Sequence, residues 1–198
     1  DATWGYATIT LSGLDANNHL SGKYGVELDL DKNGRGDWLI LASNPSSTDW
    51  TTQGVQAWQD ANGDVGGLKP TIADNASTGD GYETLVFDQG KSSDNPDGAW
   101  VRIAPDDPKT IDLAFKLSML GSPKLYAMGA WAGMDALNPA MFDLNDHMTH
   151  IQAGDPDPQL QLYPIKALSE VDNTCRMAVG FTPTGKEPGL CITIIAIK

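Results

Sequence analysis

The chain is short of almost everything that commonly carries catalysis. Its 198 residues hold two cysteines and three histidines. No Gly-x-Ser-x-Gly elbow, phosphate-binding glycine loop or His-Glu-x-x-His pair occurs, and the serine-hydrolase, nucleotide-hydrolase and zincin patterns are left out with them. Basic residues number 13 against 26 acidic ones, for a formal net charge of -13. That sign repels phosphate backbones, so nucleic acid is not an expected partner. No apolar run approaches the 18 or so residues of a membrane span, so no membrane insertion is expected either. Glutamate is scarce too: with Glu27, Glu83, Glu170 and Glu187 removed, the other 22 of the 26 acidic residues are aspartate. Aspartate competes for the backbone in turns and disfavours helix. Together with 21 glycines and 12 prolines, it predicts many turns and little helix. Paired carboxylates for sugar hydrolysis do not stand out from so many, and the chain is read as non-enzymatic.

What is present is strand rhythm. Hydrophobic residues make up 40% of the chain, enough for a core. Ala7–Ser12 alternates, Tyr24, Val26, Leu28 and Leu30 share one face opposite Lys23, Glu27 and Asp29, and Ile111, Leu113, Phe115 and Leu117 share another. Trp38-Leu39-Ile40-Leu41 is a continuous apolar run, as in a strand covered on both faces. Further strands are expected at Gly54–Gln59, Tyr82–Phe87, Ala99–Ala104, Lys124–Trp131, Arg176–Phe181 and Cys191–Lys198. Turn pairs such as Asn62-Gly63, Asp80-Gly81 and Asp97-Gly98 separate them. Met134–Phe142 can make a short helical turn, interrupted by Pro139. These features predict an all-β antiparallel β-sandwich of about ten strands, jelly-roll or immunoglobulin-like, formed by residues 1–198 as a single domain. Gly154–Pro158 is read as a surface loop within it.

Cys175 and Cys191 flank a segment rich in turn formers. Their spacing fits neither a zinc nor a thioredoxin motif. A disulfide closing a loop of about 15 residues contributes about 3 kcal/mol and is the default in exported proteins. The sequence begins without methionine or signal peptide, as a mature or excised segment would. An extracellular or cell-surface location is the expectation.

The most specific chemical signal is Asp29-Leu-Asp31-Lys-Asn33-Gly34-Arg35-Gly36-Asp37. Oxygen-bearing groups at alternate positions before a glycine turn converge on a hard cation, as in the first half of an EF-hand loop. Asp29, Asp31 and Asn33 are the expected side-chain ligands, with Arg35 giving a carbonyl and Asp37 a further contact. Ile40 stands where the EF-hand has its bidentate glutamate, and strands flank the loop, so the expectation is a calcium loop joining two strands and not an EF-hand. A metal-free Asp/Asn/Gly hairpin is the competing reading. Asp60-Ala-Asn62-Gly63-Asp64 is read as a turn. Asp143, Asp146, His147 and His150 crowd one stretch that can hold a metal or, through His147, Met148 and His150, a haem; a turn fixed by its own hydrogen bonds is the preferred reading.

Of six tryptophans, Trp38, Trp100 and Trp131 sit in apolar strands and are expected in the core. Trp50 and Trp58 have polar neighbours. Both are candidate sugar-stacking rings, with Gln53 and Gln56 as hydrogen-bond partners. Trp50 equally suits a loop plug or a subunit anchor.

The run from Tyr24 to Ile40 (YGVELDLDKNGRGDWLI), followed by Phe142–His147 (FDLNDH), resembles DOMON-like and family-9 carbohydrate-binding β-sandwich domains. The stretch from Val171 through Gly180-Phe181 to Cys191 resembles a tail of surface proteins of environmental bacteria. The resemblance rests on strand rhythm and one turn motif, and implies a bacterial surface domain that binds sugars or, in some relatives, haem. Two functions follow as expectations. One is a calcium-stabilised binder of polysaccharide or other glycan. The other is a structural subunit that assembles with copies of itself into a filament or lattice, by addition of the apolar strand carrying Ile192, Ile194, Ile195 and Ile197 to an open sheet edge.

Overall fold

Alternating side chains place one row of each strand on a shared core, and the result is two antiparallel sheets packed face to face. The computed structural model describes residues 3–63, 65, 81–91, 96–133, 138–141, 171–173, 176–187 and 190–191. Ten strands lie among these residues: β1 (Trp4–Thr10), β2 (Lys23–Asp29), β3 (Trp38–Ser43), β4 (Val55–Gln59), β5 (Thr84–Asp88), β6 (Ala99–Ala104), β7 (Asp107–Lys116), β8 (Tyr126–Gly133), β9 (Val171–Asn173) and β10 (Met177–Val179). The smaller sheet has the order β1-β7-β6, and the larger runs β10-β8-β2-β3-β4-β5. β9 also pairs with β8, across Trp131–Gly133, while β10 pairs across Tyr126–Met128. The two short strands therefore share one edge of β8.

Between the sheets, Ile9, Val101, Ile111, Leu113 and Phe115 meet Val26, Leu28, Trp38, Ile40 and Phe87. Ile111, Leu113 and Phe115 are fully buried, as their alternation predicts. Leu117 leaves the strand for a 3-10 turn at Leu117–Leu120 and packs at the margin of the core. Gly5 lets β1 lie close over Phe115, because a Cβ there would fall inside the phenyl ring.

The larger sheet is covered on its second face too. Leu39 and Leu41, pointing away from the main core, pack with Val65 and Tyr82 and with the partly buried Trp58 and Trp131. This accounts for the unbroken apolar run of β3. Three expectations are corrected. Trp131 belongs to this second cluster and not to the core between the sheets. Glu27 is 3% exposed, although its alternation assigns it to a polar face. Trp100 turns outward from β6, on the opposite side of that strand from buried Ala99 and Val101. Residues 192–198, expected to form a terminal strand, lie outside the described residues.

Candidate functional site

The hairpin between β2 and β3 carries the acidic loop. Carboxylate oxygens of Asp29, Asp31 and Asp37 lie within 4.8 Å of one another. The loop closes on its own side chains: Asp29 accepts the N–H groups of Asn33 (3.1 Å) and Gly34 (2.8 Å), and Asp37 accepts that of Leu30 (2.6 Å). Asn33 spends its amide locally, with Nδ2 donating to Asp31 and Oδ1 accepting the Arg35 N–H. The Arg35 guanidinium reaches the Gly63 carbonyl. Gly34, at φ 90°, takes the left-handed turn that a side chain would strain. Burial raises the Asp29 carboxyl above its ordinary range, against the pull of the Gly34 N–H. Burial raises Asp37 as well, with the Asp31 charge adding to the shift. Three oxygen donors this close, two in desolvated positions, suit a hard cation, which would supply charge neutralisation and not loop closure.

Directly behind the loop lies a polar cluster that alternation alone does not reveal. Glu27 accepts hydrogen bonds from the Tyr82 hydroxyl (2.7 Å), Arg176 Nη2 (2.8 Å) and Trp131 Nε1 (3.3 Å). Arg176 Nη1 donates to the Gly34 carbonyl at 2.8 Å, tying the loop to the residue just before β10. Burial and the Glu27 charge push the Tyr82 hydroxyl well above its usual range. Burial pulls Arg176 downward, but Glu27, Tyr82 and Asp29 outweigh it and leave the guanidinium more firmly protonated. Gly36 lacks a side chain for cause: a Cβ there would collide with the Tyr82 hydroxyl and Glu27 Oε1.

The tryptophans expected to act together do not meet. Trp58 packs on the outer face of the larger sheet. Its Nε1 donates to Gln56 Oε1, and Gln56 Nε2 donates to Asp88, so that amide is committed internally. Trp50 lies on the far side of the sandwich, over the outer face of the smaller sheet, and Gln53 is exposed in the turn that follows. The Thr51 and Val101 backbones exchange hydrogen bonds there, extending that sheet beyond β6.

On that outer face Trp4, Tyr6, Trp50 and Trp100 surround Ala114 and enclose a shallow depression of about 250 Å³. Trp4 and Tyr6 come from β1, Trp100 from β6 and the Ala114 floor from β7. Tyr6 is 54% exposed. The Arg102 guanidinium stacks 4.6 Å from the Trp50 ring centre and pairs with Asp112. Lys116 lies 5.6 Å from the Trp4 ring centre and pairs with Asp97. Trp100 Nε1 donates to the Asp97 carbonyl. The sequence signal for this face was the alternation Trp4, Tyr6, Thr8, Thr10, outward and opposite Gly5, Ala7 and Ile9.

The remaining candidates are structural or out of view. Asp60 accepts the N–H groups of Gly63 and Val65, which makes that segment a turn. Asp143, Asp146, His147, Met148 and His150 lie outside the described residues, as do Ile192, Ile194, Ile195 and Ile197. Cys175 does too. Cys191 sits beside Arg176, its N–H donating to the Arg176 carbonyl. Compared with protein families, with curated proteins and with solved structures, the chain matches none.

Proposed function

We propose that this is a non-enzymatic, extracellular or cell-surface β-sandwich that binds glycans on the outer face of its smaller sheet and is stabilised by calcium in the Asp29–Asp37 loop. The observation that carries the reading is the depression walled by Trp4, Tyr6, Trp50 and Trp100. Aromatic faces carry negative charge density and attract the C–H face of a sugar ring, and three strands of a rigid sheet hold these rings or the floor between them. Among the described residues, no carboxylate, imidazole or thiol lines the depression, which favours binding over turnover. The test is a glycan array with Tyr6→Ala and Trp100→Ala. Loss of binding with an unchanged melting temperature supports the reading, and undiminished binding refutes it.

Calcium rests on the convergence of Asp29, Asp31 and Asp37. A ligand bound by the native state alone raises stability, so calcium should raise the melting temperature and chelator should return it.

A second reading, self-assembly by strand addition, is favoured by the outer edge of β1, which no described strand covers. Hydrogen bonds from Leu117 to Thr3 and from Leu11 to Lys109 set the register with β7. That register turns the backbone groups of Tyr6, Thr8 and Thr10 away from β7, and among the described residues no strand pairs with them. A cleft of about 580 Å³ runs beside this edge, lined by Leu117, Pro123, Tyr126, Met128 and Val179 among others. Concentration-dependent association in ultracentrifugation that Thr8→Pro abolishes would support it; a monomer at every concentration would refute it.

A further inference from the structure

We infer that the cleft between β1 and β10 is the seat of the chain's own segment 192–197, added as a strand along the outer edge of β10. The inference goes beyond the glycan reading, which concerns the outer face of the smaller sheet. It departs from the assembly reading by keeping the strand within its own chain.

β1 ends the smaller sheet and β10 ends the larger, and residues of both line the cleft of about 580 Å³. Gly5 and Tyr6 stand on one side and Val179 on the other, beside Tyr126 and Met128 of β8. Packed interiors leave few voids larger than a water molecule, so an opening of this size at the margin of the core marks the place of a further layer of side chains. Met177 pairs with Met128 and shares its face, yet it is 61% exposed. Apolar surface of β10 is thus left uncovered by the described residues.

The path of the chain selects the occupant. Leu190 forms a parallel bridge with Arg176, and the Cys191 N–H donates to the Arg176 carbonyl at 2.8 Å. The chain therefore joins the edge of the larger sheet just before residue 192, running parallel to β10. Keeping that register sets Ile192 opposite Ala178 and Thr193 opposite Val179. Alternation then gives Thr193, Ile195 and Ile197 the face of Val179, which lines the cleft. Ile192 and Ile194 take the face of Arg176, the side on which Glu27 is buried. A strand in this place is covered on both faces, as β3 is, and needs an unbroken apolar run. Ile192-Thr-Ile-Ile-Ala-Ile197 has that composition, with one threonine.

Reach agrees. Six residues of strand extend roughly 20 Å at about 3.3 Å each, beyond the end of β10 at Val179. Ile195 and Ile197 then fall toward the part of the cleft lined by Pro123 and Lys124, where Gly180 already lies against the Lys124 carbonyl. A strand from a second copy would have to enter an edge whose first position Leu190 of the same chain holds.

The experiment is hydrogen exchange on the whole chain, read by mass spectrometry at several concentrations, with amine cross-linking of a mixture of isotope-labelled and unlabelled chains. The expected result is slow exchange at 192–197 that does not change with concentration, and Lys124–Lys198 cross-links within one chain only. Ile195→Asp, which puts a charge into the cleft, should speed exchange at 192–197 and at Met177–Val179 by roughly tenfold or more, the factor that one buried aliphatic side chain supplies. Amides of β3 should stay protected in that variant. The measurements on the unchanged chain keep the test sound if Ile195→Asp fails to fold. Exchange at 192–197 as fast as in an unfolded peptide overturns the inference. So does unaltered protection there in a folded Ile195→Asp chain. Protection that grows with concentration, together with cross-links between labelled and unlabelled chains, overturns it in favour of a strand given to a neighbour, and none of these outcomes bears on glycan binding.

Discussion

Replacing Arg176 by methionine probes the polar cluster most directly. The guanidinium gives Nη2 to Glu27 and Nη1 to the Gly34 carbonyl, both at 2.8 Å, between side chains 14% and 4% exposed. Removing one partner of a buried ion pair leaves the other charge uncompensated and costs about 3–5 kcal/mol. Two features set the value near the bottom of that range. Glu27 keeps Tyr82 and Trp131 as donors. Arg176 Nε is already buried with no partner among the described residues, and removing such a group returns part of a penalty of about 1–3 kcal/mol. The expected loss in urea denaturation at pH 7 is therefore about 3 kcal/mol, with an unchanged m value. Glu27→Gln should be costly for the same reason, since it strands the arginine. In the double variant neither charge remains, so the combined loss should fall short of the summed single losses by about 1–3 kcal/mol. A single-variant loss below about 1 kcal/mol, or strictly additive losses, would refute the claim that this pair holds the loop to β10.

Gly36→Ala should lower the melting temperature and weaken calcium binding together, because the added methyl displaces the Tyr82 hydroxyl and Glu27 against which the loop rests; thermal scans with and without calcium check both. Tyr82→Phe should cost about 1.5–3 kcal/mol at neutral pH, the range for a hydrogen bond to a charged group, measured by chemical denaturation. Its pH dependence has a definite sign. The folded state raises the Tyr82 pKa well above the usual 10.0, so above pH 10 the unfolded chain sheds this proton first and stability falls as pH rises. Tyr82→Phe should flatten that alkaline decline, and equal slopes would show that Tyr82 does not contribute to it. Non-reducing mass spectrometry should find Cys175 joined to Cys191, and a pair of alkylatable thiols would refute the exported reading in part.

The strands were legible because alternation reports burial wherever one face meets the core, as in Ile111, Leu113 and Phe115 of β7. It fails where a sheet is covered twice. Glu27 sits on the second face of β2, where the distant Tyr82, Trp131 and Arg176 close over it. Neighbourhood in sequence misled in two ways. Trp100 lies between buried Ala99 and Val101, yet the period of two turns it outward. Trp50 and Trp58 are eight positions apart and belong to opposite sides of the sandwich, because the chain crosses from the edge of one sheet into the other between them. The closeness of the three loop carboxylates was readable because their spacing is local. The aromatic face was not, since its four rings come from three separate stretches of chain, although Trp4 and Tyr6 announce themselves by their alternation with Gly5 and Ala7.

The bond between Arg176 and Glu27 joins residues 149 positions apart, and that between Arg176 and Gly34 spans 142. The hairpin that opens the larger sheet thus waits for one of the last described strands before its buried carboxylate is neutralised. During synthesis Glu27 and the acidic loop emerge before Arg176, so their bonds to it cannot form until the segment carrying β10 has followed. Contacts of such long range slow folding. A chain interrupted before Arg176 is therefore expected to keep its hairpins open and to present β2 and β3 to proteases, whereas the complete segment becomes resistant in a single late step.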